Sequence, residues 1–189
     1  MTAIANYTTQ NELLLNNLLE FYKDENVLAR MLKIITGEDN ISLRIVDWFV
    51  TNYAKKNYTL YNMVNLNGEN IRFKVYFDYK LKLKAYSKKR FDPFCRWERI
   101  SIPYKNGTFI ETTIGQLNFF KWAIENKIID FIEENYDMIE KDMNNRNSTS
   151  KRKETITDNS KTRKKREELS ISATKSIKKE DVEIVVKFH

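Results

Sequence analysis

Asp78-Tyr79-Lys80 is an acid-x-lysine triplet like that of some metal-dependent nucleases, with Asp47 or Glu69 as the second carboxylate that a Mg²⁺ ion would need. Triplets of this kind are common, and little else in the chain supports catalysis. His189, at the last position, is the only histidine, which removes His-based triads and His metal sites from the body of the chain. Cys95 stands alone, which excludes an intramolecular disulfide or a cysteine zinc site and fits a reducing compartment. Gly37, Gly68, Gly107 and Gly115 are isolated, so no glycine loop can cradle a phosphate. The expectation is a non-enzymatic protein with no metal and no cofactor.

Binding chemistry has the stronger signal. The net charge is +7; residues 1–143 hold 20 Lys+Arg against 19 Asp+Glu, whereas 144–189 hold 13 against 7. Charge is also segregated within the first part, because residues 72–99 carry 10 basic and 3 acidic residues. There Ile71, Phe73, Val75, Phe77, Tyr79, Leu81 and Leu83 alternate with Arg72, Lys74, Tyr76, Asp78, Lys80, Lys82 and Lys84, the period of a half-buried strand. On a strand, Arg72, Lys74, Lys80, Lys82 and Lys84 project from one face with Tyr76, ~6.7 Å apart for each two residues. Cations for phosphates and a ring for base stacking are what a backbone-tracking nucleic-acid surface uses. Past Asp78 the strand competes with a helix, since Tyr79, Leu83 and Tyr86 would share a helical face and Leu, Lys and Ala favour one.

Lys88, Lys89, Arg90, Arg96 and Arg99 extend the basic cluster. Pro93 holds Asp92 extended, which makes this a turn that folds Phe91, Phe94 and Trp97 onto the core. Arg96 and Arg99 then either grip phosphates or pair with Asp92 and Glu98. The plain alternative for the whole cluster is a solvated sheet face whose lysines discourage edge pairing.

The elements that must position these residues read as α+β: helices at both ends of a single domain, residues 10–143, around a small antiparallel sheet of hairpins. Leu14, Leu15, Leu18, Leu19 and Tyr22, and after a polar break Leu28, Met31, Leu32 and Ile35, mark two helices that end at Gly37. Ser42 caps a third helix with Val46, Phe49, Val50 and Tyr53 inward and Lys55 and Lys56 in its last turn. Asn67-Gly68 and Asn106-Gly107 are hairpin turns. Thr113 with Gln116 has capping-box spacing and opens a helix with a joint at Asn126-Lys127. Its inner face is Leu117, Phe120, Ile124, Ile128, Phe131, Ile132, Tyr136 and Ile139; its outer face, from Glu125 to Asp142, is acidic.

At Asn144 the composition turns polar, and residues 144–180 hold too little apolar content for a core, so disorder is expected. Two basic clusters, Lys151-Arg152 and Arg163-Lys164-Lys165-Arg166, have the spacing of a bipartite nuclear-localisation pattern and would equally serve as an electrostatic arm on nucleic acid or a solubilising linker. Residues 181–189 are β-prone again and suggest a strand that adds to a sheet edge. No apolar run reaches membrane-spanning length and no secretory leader is evident, so the expected setting is the cell interior with no membrane partner.

Three strings, ISLRIVDWFVTNY (41–53), KAYSKKRFDPFCRWERI (84–100) and TTIGQLNFFKWAIEN (112–126), together resemble an uncharacterised protein family of the nucleocytoplasmic large DNA viruses, the giant viruses related to mimiviruses. The resemblance covers most of residues 13–143. It implies a viral setting, in the cytoplasmic viral factory, the virion or the nucleus of the host cell, and it hands over no catalytic or binding residue. The resulting expectation is a viral accessory protein that binds nucleic acid through residues 72–99 and the tail. A virion-structural or protein-interaction module with a viral protein partner is the alternative, and a Mg²⁺-dependent nuclease the third.

Overall fold

The computed structural model describes residues 9–64, 68–94, 98–104, 109–154 and 179–180. The leucine periodicity of the first third folds as α1 (Gln10–Phe21) and α2 (Glu25–Thr36). Thr9 and Glu12 form a reciprocal capping box at the start of α1, and Asp24 caps α2 through the Asn26 N–H. Gly37 ends α2 in the left-handed region (φ 77°), where a Cβ would be strained.

Ser42 accepts from the Ile45 N–H to open α3 (Leu43–Trp48). The chain then widens into a π-helical turn, Phe49–Tyr53, and closes as α4 (Ala54–Lys56). Val46, Phe49 and Val50 are fully buried, as their spacing predicts. The π-turn is visible in the Ala54 N–H donating to the Phe49 carbonyl, while Thr51 Oγ1 bonds back to the Asp47 carbonyl at 2.7 Å.

Two small antiparallel sheets follow. In the first, β1 (Leu60–Val64) pairs with β2 (Asn70–Lys74) in a register that sets Tyr61 opposite Phe73. In the second, β3 (Ile100–Pro103) pairs with β4 (Phe109–Thr112), and β5 (Lys179–Glu180) joins the far edge of β4. Between the sheets lies α5 (Val75–Arg90), and after them come α6 (Ile114–Glu125), α7 (Ile128–Glu134) and α8 (Tyr136–Glu154). The expected α+β class, with helices around small hairpin sheets, is what forms. Asn67 and Asn106-Gly107 lie outside the described residues.

Helix α6 is the centre of the core: Leu117, Phe119, Phe120, Trp122 and Ala123 are all buried, so it is apolar nearly all round rather than on one stripe. Phe119 and Trp122 meet Tyr79 of α5 and Phe91. Phe131 of α7 stacks between Phe49 and Tyr61. Each such ring contributes about 2–3 kcal/mol by leaving water. Thr113 caps α6 through the Gln116 N–H, but the box is not reciprocal. The Gln116 amide instead donates to the Pro93 carbonyl at 3.0 Å and accepts from Thr112 Oγ1 at 2.9 Å, tying the Asp92-Pro93 turn to the helix start. Gly115 lets the chain come close here: a Cβ would stand 3.1 Å from the Lys89 carbonyl oxygen, a tight contact that the neighbouring backbone would have to relieve.

Three expectations are corrected. The long alternating strand ends at Lys74, and Val75–Arg90 is helical. Alternation would have buried Phe77 and Leu81 with Val75 and Tyr79; instead Phe77 is 62% and Leu81 65% exposed. Val75 and Tyr79 are buried and Tyr86 half-buried, which is helical spacing, and the Leu, Lys and Ala content suits it. Second, Asp78-Tyr79-Lys80 therefore lies on a helix and not on a strand. Third, α8 crosses the composition break at Asn144 and runs to Glu154, because Met143 is buried and Arg146 lies over the Trp48 ring at 5.6 Å, so packing against α3 outweighs the polar composition. The pairing of Lys179 and Glu180 with β4 likewise gives structure to the end of the segment expected to be disordered, while the terminal residues 181–189 lie outside the described residues.

Candidate nucleic-acid interface

Helix α5 leaves β2 without a side-chain cap and is pinned at its start by the Val75 N–H on the Thr59 carbonyl and by buried Val75. One turn on, Asp78 Oδ1 accepts from Trp122 Nε1 at 2.6 Å. That bond commits the best catalytic candidate of the sequence to holding α5 on α6. Burial pushes the Tyr79 hydroxyl up to about 12, with the charges of Asp47 and Asp92 adding to it, so this ring stays a neutral core group. Ser87 (φ 60°) kinks the helix before Lys88, Lys89 and Arg90.

The expected row of cations is split by the helix. Lys80 and Lys84 share the exposed face with Phe77 and Leu81, and these side chains with Leu83 line a groove of about 480 Å³. Lys82 is half-buried on another side. Arg72 and Lys74 are exposed on β2, and Tyr76 is half-buried at its junction with α5. With any described residue, Arg72, Lys74, Lys80, Lys82, Lys84 and Lys88 form no ion pair. The outer members of the cluster are engaged: Lys89 pairs with Glu98 at 3.6 Å, Arg99 with Glu111 at 3.2 Å, and Arg90 donates to Gln10. Phe91 and Phe94 are buried beside the turn as expected, with the Phe94 N–H on Asp92 Oδ1. Arg96 and Trp97 lie outside the described residues, as do Arg163, Lys164, Lys165 and Arg166; Lys151 and Arg152 fall on the last turn of α8.

A second feature escaped the sequence reading. Thr51 and Asn52 of the π-turn, Lys55 and Lys56 of α4, Tyr58, Tyr76 and the Asp142–Arg146 stretch of α8 surround an open cleft of about 670 Å³. Its parts come from three distant stretches, so spacing could not assemble them. The only local hint is the run of two lysines followed closely by Tyr58. Among the described residues no group of three acidic, His or Cys side chains is placed to hold a metal, and no helix is long and apolar enough to cross a membrane.

Comparison with known proteins agrees with the viral resemblance. The chain is 49% identical over 139 residues to the uncharacterised protein L507 of Acanthamoeba polyphaga mimivirus, a match covering 71% of this chain and 52% of the relative, so the chain spans about half the length of that curated relative. No solved structure matches it. The model of a family of unknown function, DUF7197, matches residues 2–188, and the chain belongs to that family.

Proposed function

We propose that this chain is a non-enzymatic viral accessory protein that binds nucleic acid without strong sequence preference, through the exposed face of α5 and the basic tail. The observation that carries the reading is the set of exposed cations on β2 and α5, Lys74, Lys80 and Lys84 foremost, that have no carboxylate partner among the described residues. Charges left open beside exposed rings attract a polyanion by releasing its counterions, whatever its sequence. Replacing Lys80, Lys82 and Lys84 with Glu should weaken retention on unrelated DNA sequences alike, by on the order of 100-fold at low salt. Unchanged retention would count against the proposal.

A second reading is favoured by one observation, the exposure of Leu60, Phe77 and Leu81, which line adjoining concavities where β1 meets α5. Large apolar side chains gathered on a surface mark protein contacts. In that case α5 docks a viral protein partner, and Phe77→Ala with Leu81→Ala would abolish its recovery in a pull-down from infected cells.

A further inference from the structure

The cleft beside α4 has the makings of a base-holding pocket. Of its three cations, Lys56 is engaged by Asp142 at 2.5 Å, and Asp142 also accepts from Trp48 Nε1 at 3.1 Å. The hydrogen bond from Lys56 holds the Asp142 carboxyl below its ordinary range, burial opposing and Trp48 assisting, so this carboxylate stays charged and occupied. Lys55 and the outer edge of Arg146, whose guanidinium lies over the Trp48 ring at 5.6 Å, remain for an incoming anion. Lys55 Nζ sits 5.7 Å over the Tyr76 ring, and exposed Arg146 spends one long bond (3.4 Å) on Asn52 Oδ1, which leaves most of its donor fork open.

Tyr58 forms the outer wall. It is 79% exposed and holds φ at 49°, a left-handed conformation uncommon for a bulky residue. Two backbone bonds enforce that posture, Asn57 N–H to the Tyr53 carbonyl and Thr59 N–H to the Ala54 carbonyl. These bonds are those of a helix end, where the left-handed conformation is common, and they leave the Tyr58 ring exposed on the wall of the cleft.

The cleft is also not isolated. Lys55, Tyr58 and Tyr76 form a shared wall with a second, more apolar pocket of about 430 Å³, which includes Phe77; Phe77 in turn lines the groove along α5. Three adjoining concavities thus connect α8 to the exposed face of α5, lined by the rings of Tyr58, Tyr76 and Phe77 and by Lys55, Lys74, Lys80 and Lys84. Duplex nucleic acid offers phosphates to such a track but keeps its bases inside. A single strand offers both, and rings alternating with cations are how strands are held irrespective of sequence.

We infer that the track takes single-stranded nucleic acid, with one unpaired nucleotide in the cleft, its base against Tyr58 and Tyr76 and its phosphate on Lys55 and Arg146. The assignment rests on the nucleic-acid reading of α5 and narrows its ligand. The test is fluorescence anisotropy of the full chain with a labelled oligothymidylate of about 20 nucleotides and, separately, a duplex of the same length. Tyr58→Ala should weaken oligothymidylate binding about tenfold and duplex binding less than about twofold, since stacking is lost and charge is not, and Tyr58→Phe should restore it. Arg146→Ala should act in the same direction as Tyr58→Ala. Circular dichroism verifies that each variant is folded, which the exposure of Tyr58 favours, and that Arg146→Ala, which loses its contact with Trp48, keeps its helix content. Equal weakening of both ligands, or of neither, by Tyr58→Ala overturns the cleft assignment. Failure of the α5 reading looks different: the Lys80→Glu, Lys82→Glu, Lys84→Glu protein would then keep its affinity for both ligands.

Discussion

Helices α5 and α7–α8 carry dense charge of opposite sign, and the fold treats the two differently. On the acidic side three carboxylates are answered from far along the chain: Arg30 bonds Asp130 at 2.5 Å and Glu133 at 2.9 Å, and Lys56 bonds Asp142, while Glu134, Asp137 and Glu140 form no ion pair with a described residue. Glu125 pairs with Lys121 within α6. On α5 the exposed Lys80, Lys84 and Lys88 form no ion pair with a described residue, only Lys89 pairing with Glu98, and Phe77 and Leu81 between them face outward too. An equally strong charge pattern in sequence can therefore end as internal neutralisation or as open surface. The difference is decided by tertiary partners about a hundred residues away.

Aromatic substitution contrasts the two sides most sharply. Phe119→Ala on α6 removes a fully buried ring that touches Tyr79, Phe91 and Trp122, and should cost about 3–5 kcal/mol in denaturant unfolding. Phe77→Ala, on the exposed face of α5, should stay within about 0.5 kcal/mol of the parent. If both cost the same, Phe77 is not on open surface.

Asp47 gives the next largest effect. Burial, aided by the charge of Asp92 and opposed by Lys88, pushes its carboxyl up to about 6. The folded chain thus keeps a proton on Asp47 that the unfolded chain, with its carboxyl near 3.9, gives up earlier. Its contribution to stability is present below that lower value, falls as pH rises toward about 6, and is level above. Asp47→Asn should gain roughly 1–2 kcal/mol over the parent at pH 7, discounted because the side chain is only half-buried, and the gain should shrink as pH falls below 5. Melting temperatures of both proteins between pH 4 and 7 check this.

The smallest effect belongs to the acidic side. Arg30→Ala should cost no more than about 1 kcal/mol, because Arg30, Asp130 and Glu133 all remain substantially in contact with solvent, and the cost should fade in high salt. A larger, salt-independent loss would mean that the pair holds α2 on α7 by packing rather than by charge.

Much of the fold was legible in the residues themselves. Ser42, Gly37 and Thr113 mark helix ends through local bonds, and the Ile and Phe spacing of α6–α8 identifies the inner face. What was not legible is instructive in each case. Residues 75–84 satisfy period two and period 3.6 at once, and the helix is the form in which Asp78 accepts from Trp122 while Tyr79 packs on the same ring. The extension of α8 depends on Met143 and Arg146 finding α3 nearly a hundred residues back. The cluster of cationic residues is legible in composition, but not their common face, since Lys80 and Lys84 stay together on a helix and Lys82 leaves them. The cleft could not be read at all, because Tyr58, Tyr76 and Arg146 meet only in three dimensions.

The salt dependence of duplex binding bears most directly on the open lysines of α5. The logarithm of the binding constant of the full chain should fall linearly with the logarithm of salt, with a slope of about −0.9 for each phosphate neutralised, and the Lys80→Glu, Lys82→Glu, Lys84→Glu protein should show a slope shallower by about 2 to 3. Identical slopes for the two proteins, or binding indifferent to salt, would contradict the assignment of α5 as the surface that meets the phosphates.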